Sequence, residues 1–295
     1  MERMGVIGLG RMGAAAATRL AAQGISVCGW TRSGRAVANV AQAESLERLV
    51  DCSDVLLLSL YDDDAVANVL DQLLAFDLTG KLIIETSTVV PTVLSNRIAA
   101  IHAAGGEAID APISGGPEMV LAGTCGIFIG GDDAASKRAQ QVLMPLTTRV
   151  FHVGPLGAGM VMKTINNVAM QSYVAALAEL LPLAKRAGLS LETAMNILSS
   201  GPAAMPMVRD RLPKVFGQDD TVGFPLTAIR KDADVMQQVL ASYGLTSEVL
   251  KIASAHHDKN LAAGLGNKDP GHILGLTYHM TAESNSEISK DVPTT

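Results

Sequence analysis

A glycine-rich turn near the start of the chain, between an apolar segment and an alanine-rich one, constrains the fold more than any other feature. Residues 4–7 predict a short buried strand, GLGRMG follows at 8–13, and the alanine-rich segment after it predicts a helix. In this context Gly8 permits a tight turn, Gly10 lets the backbone approach a pyrophosphate, and Gly13 lets helix and strand pack closely. Free N–H groups at the start of the helix then bind the phosphates. A turn of purely structural origin is the alternative, but the placement favours a dinucleotide-binding site.

The residues just after the second predicted strand, 25–30, indicate which nicotinamide cofactor is bound. An NAD site places a carboxylate there, roughly 20 residues past the glycines, to bind the ribose 2′-hydroxyl. No Asp or Glu occurs between Gly13 and Glu44. Arg32, flanked by the hydroxyls of Thr31 and Ser33, suits a 2′-phosphate instead, although a solvated surface arginine would give the same pattern. We therefore expect NADP(H) to be preferred over NAD(H).

Further strands and helices alternate up to residue 153, as expected for a doubly wound parallel sheet. Strands are predicted at 55–60, 81–84, 107–110, 127–129 and 150–153, and helices at 62–74, 93–104 and 134–144. Loops 85–88 and 111–117 follow two of these strands, and open parallel sheets bind their ligands at such carboxyl ends. The carboxylates of Asp62–Asp64 suit a helix start, so we expect them to cap the helix rather than to bind a metal.

The stretch GPLGAGMVMKTINN at 154–167 joins this alternating part to a helical remainder. Lys163 and Asn167 lie four residues apart, so on a helix they share one face, among mostly apolar neighbours. A lysine there either lines a cavity or only covers apolar surface with its stem. Past Asn167 the chain predicts helices alone, at 190–199, 205–215, 227–243 and 247–263.

The whole chain predicts an α/β protein of two domains. A length of 295 residues exceeds what one core usually supports, and 48% hydrophobic residues suffice for packed cores. We expect an N-terminal Rossmann-type doubly wound sheet at 1–161, joined by a long interdomain helix to an all-α C-terminal domain at 162–279. The active site is expected in the cleft between them. The segment 280–295 is polar and without periodicity, so we expect a frayed tail.

Composition and charge argue against several classes of protein. The net charge of −6, the lack of basic runs and an aromatic content of 3% speak against nucleic-acid binding. No signal-peptide pattern opens the chain, and the longest apolar run, 168–184, is too short and too often interrupted to span a membrane. Three cysteines without a CxxC pair fit reduced thiols better than disulfides or a zinc site. We therefore expect a cytoplasmic protein without a membrane, nucleic-acid or metal partner.

Four motifs, taken in order, resemble the signatures of the β-hydroxyacid dehydrogenases. They are GLGRMG at 8–13, DAPISGG at 110–116, GPLGAGMVMKTINN at 154–167 and RKDADV at 230–235. This family includes 3-hydroxyisobutyrate dehydrogenase, tartronate semialdehyde reductase and glyoxylate/succinic semialdehyde reductases, and has a C-terminal domain like that of 6-phosphogluconate dehydrogenase. The resemblance implies an NAD(P)-dependent dehydrogenase that interconverts a small 3-hydroxy acid, or a related alcohol, and its aldehyde or ketone by hydride transfer.

The resemblance also implies roles for individual residues. Lys163 corresponds to the catalytic general acid/base and Asn167 to an amide that helps to hold the substrate. Ser114, Gly115 and Gly116 correspond to the loop that binds the substrate carboxylate, and Ser114 counts among the catalytic residues. The implied cofactor contacts are Gly8, Leu9, Gly10, Arg11, Met12, Gly13, Thr31, Arg32, Ser33, Leu60, Tyr61, Ala65, Thr88 (beside the nicotinamide ribose) and Lys231 (closing over the cofactor from the helical domain).

The chemistry of Lys163 agrees with the role that the resemblance implies. Its ammonium group would donate to the carbonyl oxygen as hydride arrives, and its neutral form would take the hydroxyl proton in the oxidation. An apolar cleft and a cationic nicotinamide would lower the pKa of this lysine, which suits the base role. The substrate would be a small anionic hydroxy or oxo acid, and no metal is needed.

Two alternatives stay open, and the chain departs from the family pattern at residues 118–121 and at Thr31, which stands where Asn is common. The first alternative is an imine reductase on the same scaffold, although such relatives usually carry Asp or Tyr in place of Lys163. The second is a non-catalytic module that binds nucleotide for assembly. Residues 118–121, Glu-Met-Val-Leu, stand where the family has small residues, so the pocket is expected to differ. The apolar length of the helix predicted at 160–187 leads us to expect a homodimer or homotetramer.

Overall fold

The protein divides into two compact units. The structure, a computed structural model, describes residues 2–280. The first unit runs to Asn166 and takes in Gln238–Leu245, and the second comprises Asn167–Gln237 and the described residues from Thr246 on. The sequence predicts a domain boundary after residue 161, whereas the two units divide after Asn166. One helix, Ala158–Arg186, runs through both positions, so the predicted boundary stays a prediction. The predicted tail lies, apart from Met280, outside the described residues.

The first unit is built on a single, mostly parallel sheet. Its strands are Met4–Ile7 (β1), Val27–Trp30 (β2), Ala41–Gln42 (β3), Val55–Leu58 (β4), Leu82–Glu85 (β5), Glu107–Asp110 (β6), Ile113–Ser114 (β7), Gly126–Gly130 (β8) and Val150–Gly154 (β9). The order is β3-β2-β1-β4-β5-β6-β8-β7, and β9 pairs with β8. The first six strands in this order, from β3 through β1 to β6, run parallel. Strand β8 is antiparallel to β6 and β7. The order reverses between β1 and β4, as in doubly wound nucleotide-binding sheets.

Helices cover both faces of this sheet. They are Arg11–Ala22 (α1), Leu46–Asp51 (α2), Asp63–Leu73 (α3), Thr92–Ser95 (α4), Ile98–Ala103 (α5), Pro117–Ala122 (α6) and Asp133–Leu143 (α7). On one face Val6 and Leu57 pack with α1 and α7, and on the other Leu56 and Ile83 pack with α2 and α3. All residues of β1, β4 and β5 are buried, as parallel strands covered on both sides require.

The prediction of one helix at 93–104 is wrong, because the structure has the two short helices α4 and α5 there. The break follows from Arg97. Its Nη1 donates to the carbonyl oxygen of Val93 at 2.9 Å, the acceptor that the amide of Arg97 would use in a continuous α-helix. The amide of Arg97 donates instead to Leu94, three residues back, so the first helix ends.

The helical part begins with Ala158–Arg186 (α8), which spans the division between the units. The helices after it are Leu191–Ser200 (α9), Pro206–Arg209 (α10), Leu212–Val215 (α11), Leu226–Ser242 (α12), Glu248–Ala262 (α13) and Pro270–His279 (α14). The single helix predicted at 205–215 is wrong: Pro213 lacks an N–H and would clash with the carbonyl four residues back, so α10 and α11 are separate. In residues 2–280 no helix is long and apolar enough to cross a membrane. The predicted fold class, a Rossmann-type sheet followed by a helical domain, is confirmed.

Candidate active site

The glycine-rich turn after β1 has the packing that its sequence predicts. Gly8 has φ +93°, and a Cβ there would lie 2.3 Å from the carbonyl oxygen of Ser59 on the neighbouring strand end. A Cβ on Gly13 would lie 1.9 Å from the carbonyl oxygen of Gly8, so helix and turn touch directly. A Cβ on Gly10 would meet nothing within 4 Å, which leaves open space above the start of α1. The backbone can therefore be approached closely at Gly10, as a pyrophosphate site requires.

An exposed, basic turn follows β2. The N–H of Gly34 donates to the carbonyl oxygen of Thr31 at 3.0 Å and closes the turn. Arg32 and Ser33 are exposed within it, and Arg35, which the sequence analysis did not single out, is exposed just beyond. The turn thus offers positive charge and a hydroxyl group at the place where a doubly wound fold binds the adenosine ribose.

The acidic residues before α3 serve the backbone. Asp62 is the N-cap residue, and its Oδ1 accepts from the N–H of Ala65 at 2.9 Å. Oδ1 of Asp63 accepts from the N–H of Val90 at 3.1 Å, which ties the start of α3 to the loop after β5. The predicted capping role is confirmed for Asp62. Across residues 2–280 no group of His, Cys, Asp or Glu side chains is arranged to hold a metal ion.

Lys163 points into the carboxyl edge of the sheet and is 7% exposed. Its Nζ donates to Oγ1 of Thr88 at 2.6 Å and to the carbonyl oxygen of Ile113 at 3.0 Å. These two partners belong to the loop after β5 and to β7, so the structure brings together Lys163, Thr88 and the segment that carries Ser114. The ammonium group of Lys163 is desolvated and held in a defined position, as a proton donor or acceptor needs.

Asn166 is a member of this group that sequence reasoning missed. Its Nδ2 donates to Oγ of Ser114 at 3.2 Å. Asn166 lies three residues after Lys163 and therefore on the same side of α8, a spacing that could have identified it. Asn167, the predicted substrate amide, follows Lys163 by about one helical turn and belongs to the second unit.

Asp110 fixes the start of α8 and was also missed. It is 4% exposed, and its Oδ1 and Oδ2 accept from the N–H groups of Gly157 at 2.6 Å and Met160 at 2.9 Å. A Cβ on Gly159 would lie 2.7 Å from Oδ2 and 2.3 Å from the carbonyl oxygen of Phe128, so only glycine allows this approach. Burial raises the pKa of Asp110 to about 6, against the lowering effect of the N–H groups. By anchoring α8, Asp110 determines where Lys163 stands.

Glu85, the last residue of β5, is the third residue that was missed. It is 1% exposed, and its Oε1 accepts from the N–H of Ser87 at 2.7 Å. Oγ of Ser87 in turn accepts from the N–H of Leu60 at 2.9 Å. Burial raises the pKa of Glu85 to about 8. A buried carboxyl group that keeps its proton at neutral pH therefore lies at the edge of the sheet where Lys163 is held.

Residues 118–121, which depart from the family pattern, lie in α6, directly after the predicted substrate loop. Met119 packs against Gly115, where a Cβ would lie 3.1 Å from its Sδ. Oε2 of the exposed Glu118 lies 2.9 Å from the position of a Cβ on Gly116. A large apolar side chain and a carboxylate thus border the loop of Ser114. Lys231 belongs to the second unit, where its Nζ lies 2.8 Å from Oδ1 of Asp232.

Two family models match the chain, one after the other. Residues 3–154 match the family described as the NAD binding domain of 6-phosphogluconate dehydrogenase. Residues 157–277 match the family described as NAD-binding of NADP-dependent 3-hydroxyisobutyrate dehydrogenase. The change from one match to the other falls at the start of α8.

Individual proteins are similar to this chain over nearly its whole length. It is 28% identical over 293 residues to the 2-(hydroxymethyl)glutarate dehydrogenase of Eubacterium barkeri, covering 96% of this chain and 97% of the relative. It is 29% identical over 286 residues to the NAD-dependent L-serine dehydrogenase of Pseudomonas aeruginosa, covering 91% and 95%. The solved structure of Mycobacterium tuberculosis 3-hydroxyisobutyrate dehydrogenase with L-serine has a TM-score of 0.83 at 26% identity, covering 94% of this chain and 99% of that one.

These matches agree with the glycine turn after β1 and with the doubly wound sheet that carries it. The first family model alone covers more than half of the chain, and the second follows it in order. The chain therefore belongs to the β-hydroxyacid dehydrogenase family, whose members are NAD(P)-dependent oxidoreductases that act on CH–OH groups.

Proposed function

We propose that this protein interconverts a small 3-hydroxy acid and its aldehyde with NADP(H), and that Lys163 is the general acid/base. The observation that carries the proposal is the buried Lys163 Nζ, bonded to Thr88 and to the carbonyl oxygen of Ile113. A buried ammonium group held at this position suits a carbonyl oxygen on which negative charge develops. In the reduction Lys163 gives its proton to that oxygen, and in the oxidation neutral Lys163 takes the proton back.

The residues of the first unit fit a nicotinamide dinucleotide. The open space at Gly10 and the tight contacts of Gly8 and Gly13 suit a pyrophosphate at the start of α1. Thr31, Arg32 and Ser33 would hold the 2′-phosphate. The other contacts proposed on this basis are Leu9, Arg11, Met12, Leu60, Tyr61, Ala65, Thr88 and Lys231. When bound, the nicotinamide supplies or accepts the hydride, while Lys163 moves the proton.

The substrate class follows from the site and from the relatives together. The names 2-(hydroxymethyl)glutarate, L-serine and 3-hydroxyisobutyrate describe acids of the form HOCH₂–CH(R)–COO⁻. We propose the same core here, with Ser114, Gly115, Gly116 and Asn167 holding the carboxylate end. The R group distinguishes the candidates. Glu118 beside Gly116 disfavours an R group that carries a second carboxylate, because like charges repel.

Turnover of these acids and their semialdehydes with NADP(H) and NAD(H) tests the proposed function. The expected result is hydride transfer with at least one acid of this core, and slower turnover of the dicarboxylate. Cofactor binding without turnover of any carbonyl or alcohol in the panel would contradict the proposal. Turnover of cyclic imines in that case would identify an imine reductase, and its absence would favour a non-catalytic nucleotide-binding module.

Arg32→Ala should weaken NADPH binding and leave NADH binding unchanged. A hydrogen bond between charged groups contributes about 1.5–3 kcal/mol, so the loss of affinity should be tenfold or more. Fluorescence titration with both cofactors measures this. Arg48→Ala, which removes another exposed arginine, one of α2 that pairs with Asp51 at 3.9 Å, is the matched control. Equal effects of Arg32→Ala on both cofactors would contradict the NADP(H) preference.

We also propose a homodimer or homotetramer. Leu180 and Leu183 of α8 and Ile197 of α9 are 58%, 64% and 65% exposed in the single chain. A second copy of the chain packed on these helices would remove the three side chains from water, which is favourable. Light scattering at micromolar concentration should give at least twice the monomer mass, and a monomer would contradict the proposal.

A further inference from the structure

The carboxyl group of Glu85 is buried at the active-site edge of the sheet but has no part in the hydride or proton transfer described above. It is 1% exposed, and its Oε1 accepts from the amide N–H of Ser87 at 2.7 Å. Oγ of Ser87 also accepts from the N–H of Leu60. Glu85 therefore holds the loop that leads to Thr88, the residue that binds Lys163.

A second carboxyl group lies beside Glu85. Glu85 pairs in register with Asp110 on the neighbouring parallel strand, so their side chains are on the same face of the sheet. Two close carboxylates in a desolvated site do not both ionise easily. Asp110 accepts from two N–H groups at the start of α8, which favours its charged form. Glu85 lacks such a helix start and is the carboxyl group that keeps the proton.

The surroundings of Glu85 identify the charge that responds to it. The charged groups that interact with Glu85 are Asp110 from β6 and Lys163 from α8. Asp63 from α3 accepts from the N–H of Val90, in the loop that Glu85 begins. The neighbouring residue of β4 in register is the apolar Leu58. Burial and Asp110 raise the pKa of Glu85, whereas Ser87 and Lys163 lower it. Glu85 and Lys163 thus interact electrostatically, and that interaction is attractive when both are charged.

We propose that Glu85 is a positioning residue that stays a neutral acid, so that the Lys163 ammonium group is not trapped in a permanent ion pair and can give up its proton. The inference rests on the proposed acid/base role of Lys163. Above about pH 8, where Glu85 ionises, its carboxylate stabilises the ammonium form of Lys163. In the wild type the reductive rate, which needs the ammonium group, therefore persists to higher pH than it would beside a neutral side chain.

Glu85→Gln tests the inference, because glutamine keeps the shape, the acceptor for Ser87 and the neutral state at every pH. The alkaline fall of kcat/KM for reduction should move to lower pH by about one unit, the effect of losing a nearby opposite charge. Ser87→Ala removes a group that favours ionised Glu85 and should move the fall in the same direction, but less. Glu107→Gln, at the other end of the adjacent strand, should leave the profile unchanged.

Thermal unfolding gives a readout that is independent of activity. The pKa of Glu85 is raised from 4.5 to about 8 on folding. Between these two pH values Glu85 is therefore protonated in the folded state and ionised in the unfolded state. The wild type should therefore lose stability relative to Glu85→Gln as pH rises from about 4.5 to about 8. A difference of several degrees in melting temperature is expected at the upper end.

The outcomes separate the inference from the proposed function. A pH-dependent melting difference together with a shifted rate profile supports the role of Glu85. A melting difference that does not vary with pH overturns it, because Glu85 would then not hold its proton. A shifted melting curve with an unmoved rate profile also overturns it, since Lys163 would not respond to Glu85. The proposed function fails separately, if Lys163→Ala keeps full activity.

Discussion

Lys163→Ala should lower kcat for aldehyde reduction by about a hundredfold to ten-thousandfold, the range for general acid catalysis. Nζ of Lys163 is the buried donor at the carboxyl edge, bonded to Thr88 Oγ1 at 2.6 Å and to the carbonyl oxygen of Ile113 at 3.0 Å. Alanine leaves these acceptors without their donor and the developing alkoxide without a proton source. A hundredfold loss corresponds to about 2.7 kcal/mol of transition-state stabilisation. Steady-state rates, with cofactor affinity measured separately, give the result.

Two further variants show whether Lys163 transfers a proton or only supplies charge. Lys163→Arg keeps a positive charge, but arginine does not lose its proton in proteins, so it should not restore turnover. Lys81→Ala is the matched control. Nζ of Lys81 also donates to two carbonyl oxygens, those of Val50 at 2.7 Å and Ser53 at 2.8 Å. Lys81 lies at the amino end of β5, however, and Lys163 is held at the carboxyl edge of the sheet. Lys81→Ala should lower stability and leave kcat nearly unchanged. Wild-type kcat in Lys163→Ala would contradict the acid/base role.

The parts of the site that could be predicted from the sequence are those in which one short segment determines the geometry. The turn at Gly8 and the cap of α3 at Asp62 depend on residues a few positions away. The residues that were missed depend on distant segments. Glu85 and Asp110 are neighbours only because β5 and β6 pair in that register, and Asp110 reaches α8 across a separation of 47 residues to Gly157. Burial, which raises the pKa of both carboxyl groups, is not visible in a strand-end residue by itself.

The helix boundaries show the same limit. Helix α14 was not predicted, since Pro270, Gly271 and Gly275 lower helix propensity. In the structure a Cβ on Gly275 would lie 2.4 Å from the carbonyl oxygen of Val215 in α11, so the glycine is needed for packing. Tertiary contact thus overrides propensity there. Asn167 and Lys231 stay predictions, because their roles depend on bound substrate and cofactor.

Gly13→Ala and Gly10→Ala, the same substitution three residues apart, should affect different properties. The first should lower the stability of the protein, and the second should lower its affinity for the cofactor. A Cβ on Gly13 would lie 1.9 Å from the carbonyl oxygen of Gly8, a backbone atom that cannot move away by changing rotamer. Alanine would gain about 1 kcal/mol of helix propensity, but an overlap of this size should outweigh it, with a net loss of about 3 kcal/mol in the free energy of unfolding. Urea unfolding without cofactor measures this loss.

Gly10→Ala should fold as well as the wild type but bind the cofactor poorly. Gly10 has φ −68°, which alanine adopts easily, and the added methyl group would meet nothing within 4 Å. The free energy of unfolding should therefore change by less than about 0.5 kcal/mol. The methyl group would occupy the space through which a pyrophosphate approaches the backbone, so affinity for NADPH and NADH should fall together by about tenfold or more. Unchanged cofactor affinity in a stable Gly10→Ala variant would mean that the pyrophosphate lies elsewhere. Wild-type stability of Gly13→Ala would mean that the glycine turn can open. The first result would remove the basis for the cofactor site, whereas the second would leave the site and change only what holds it together.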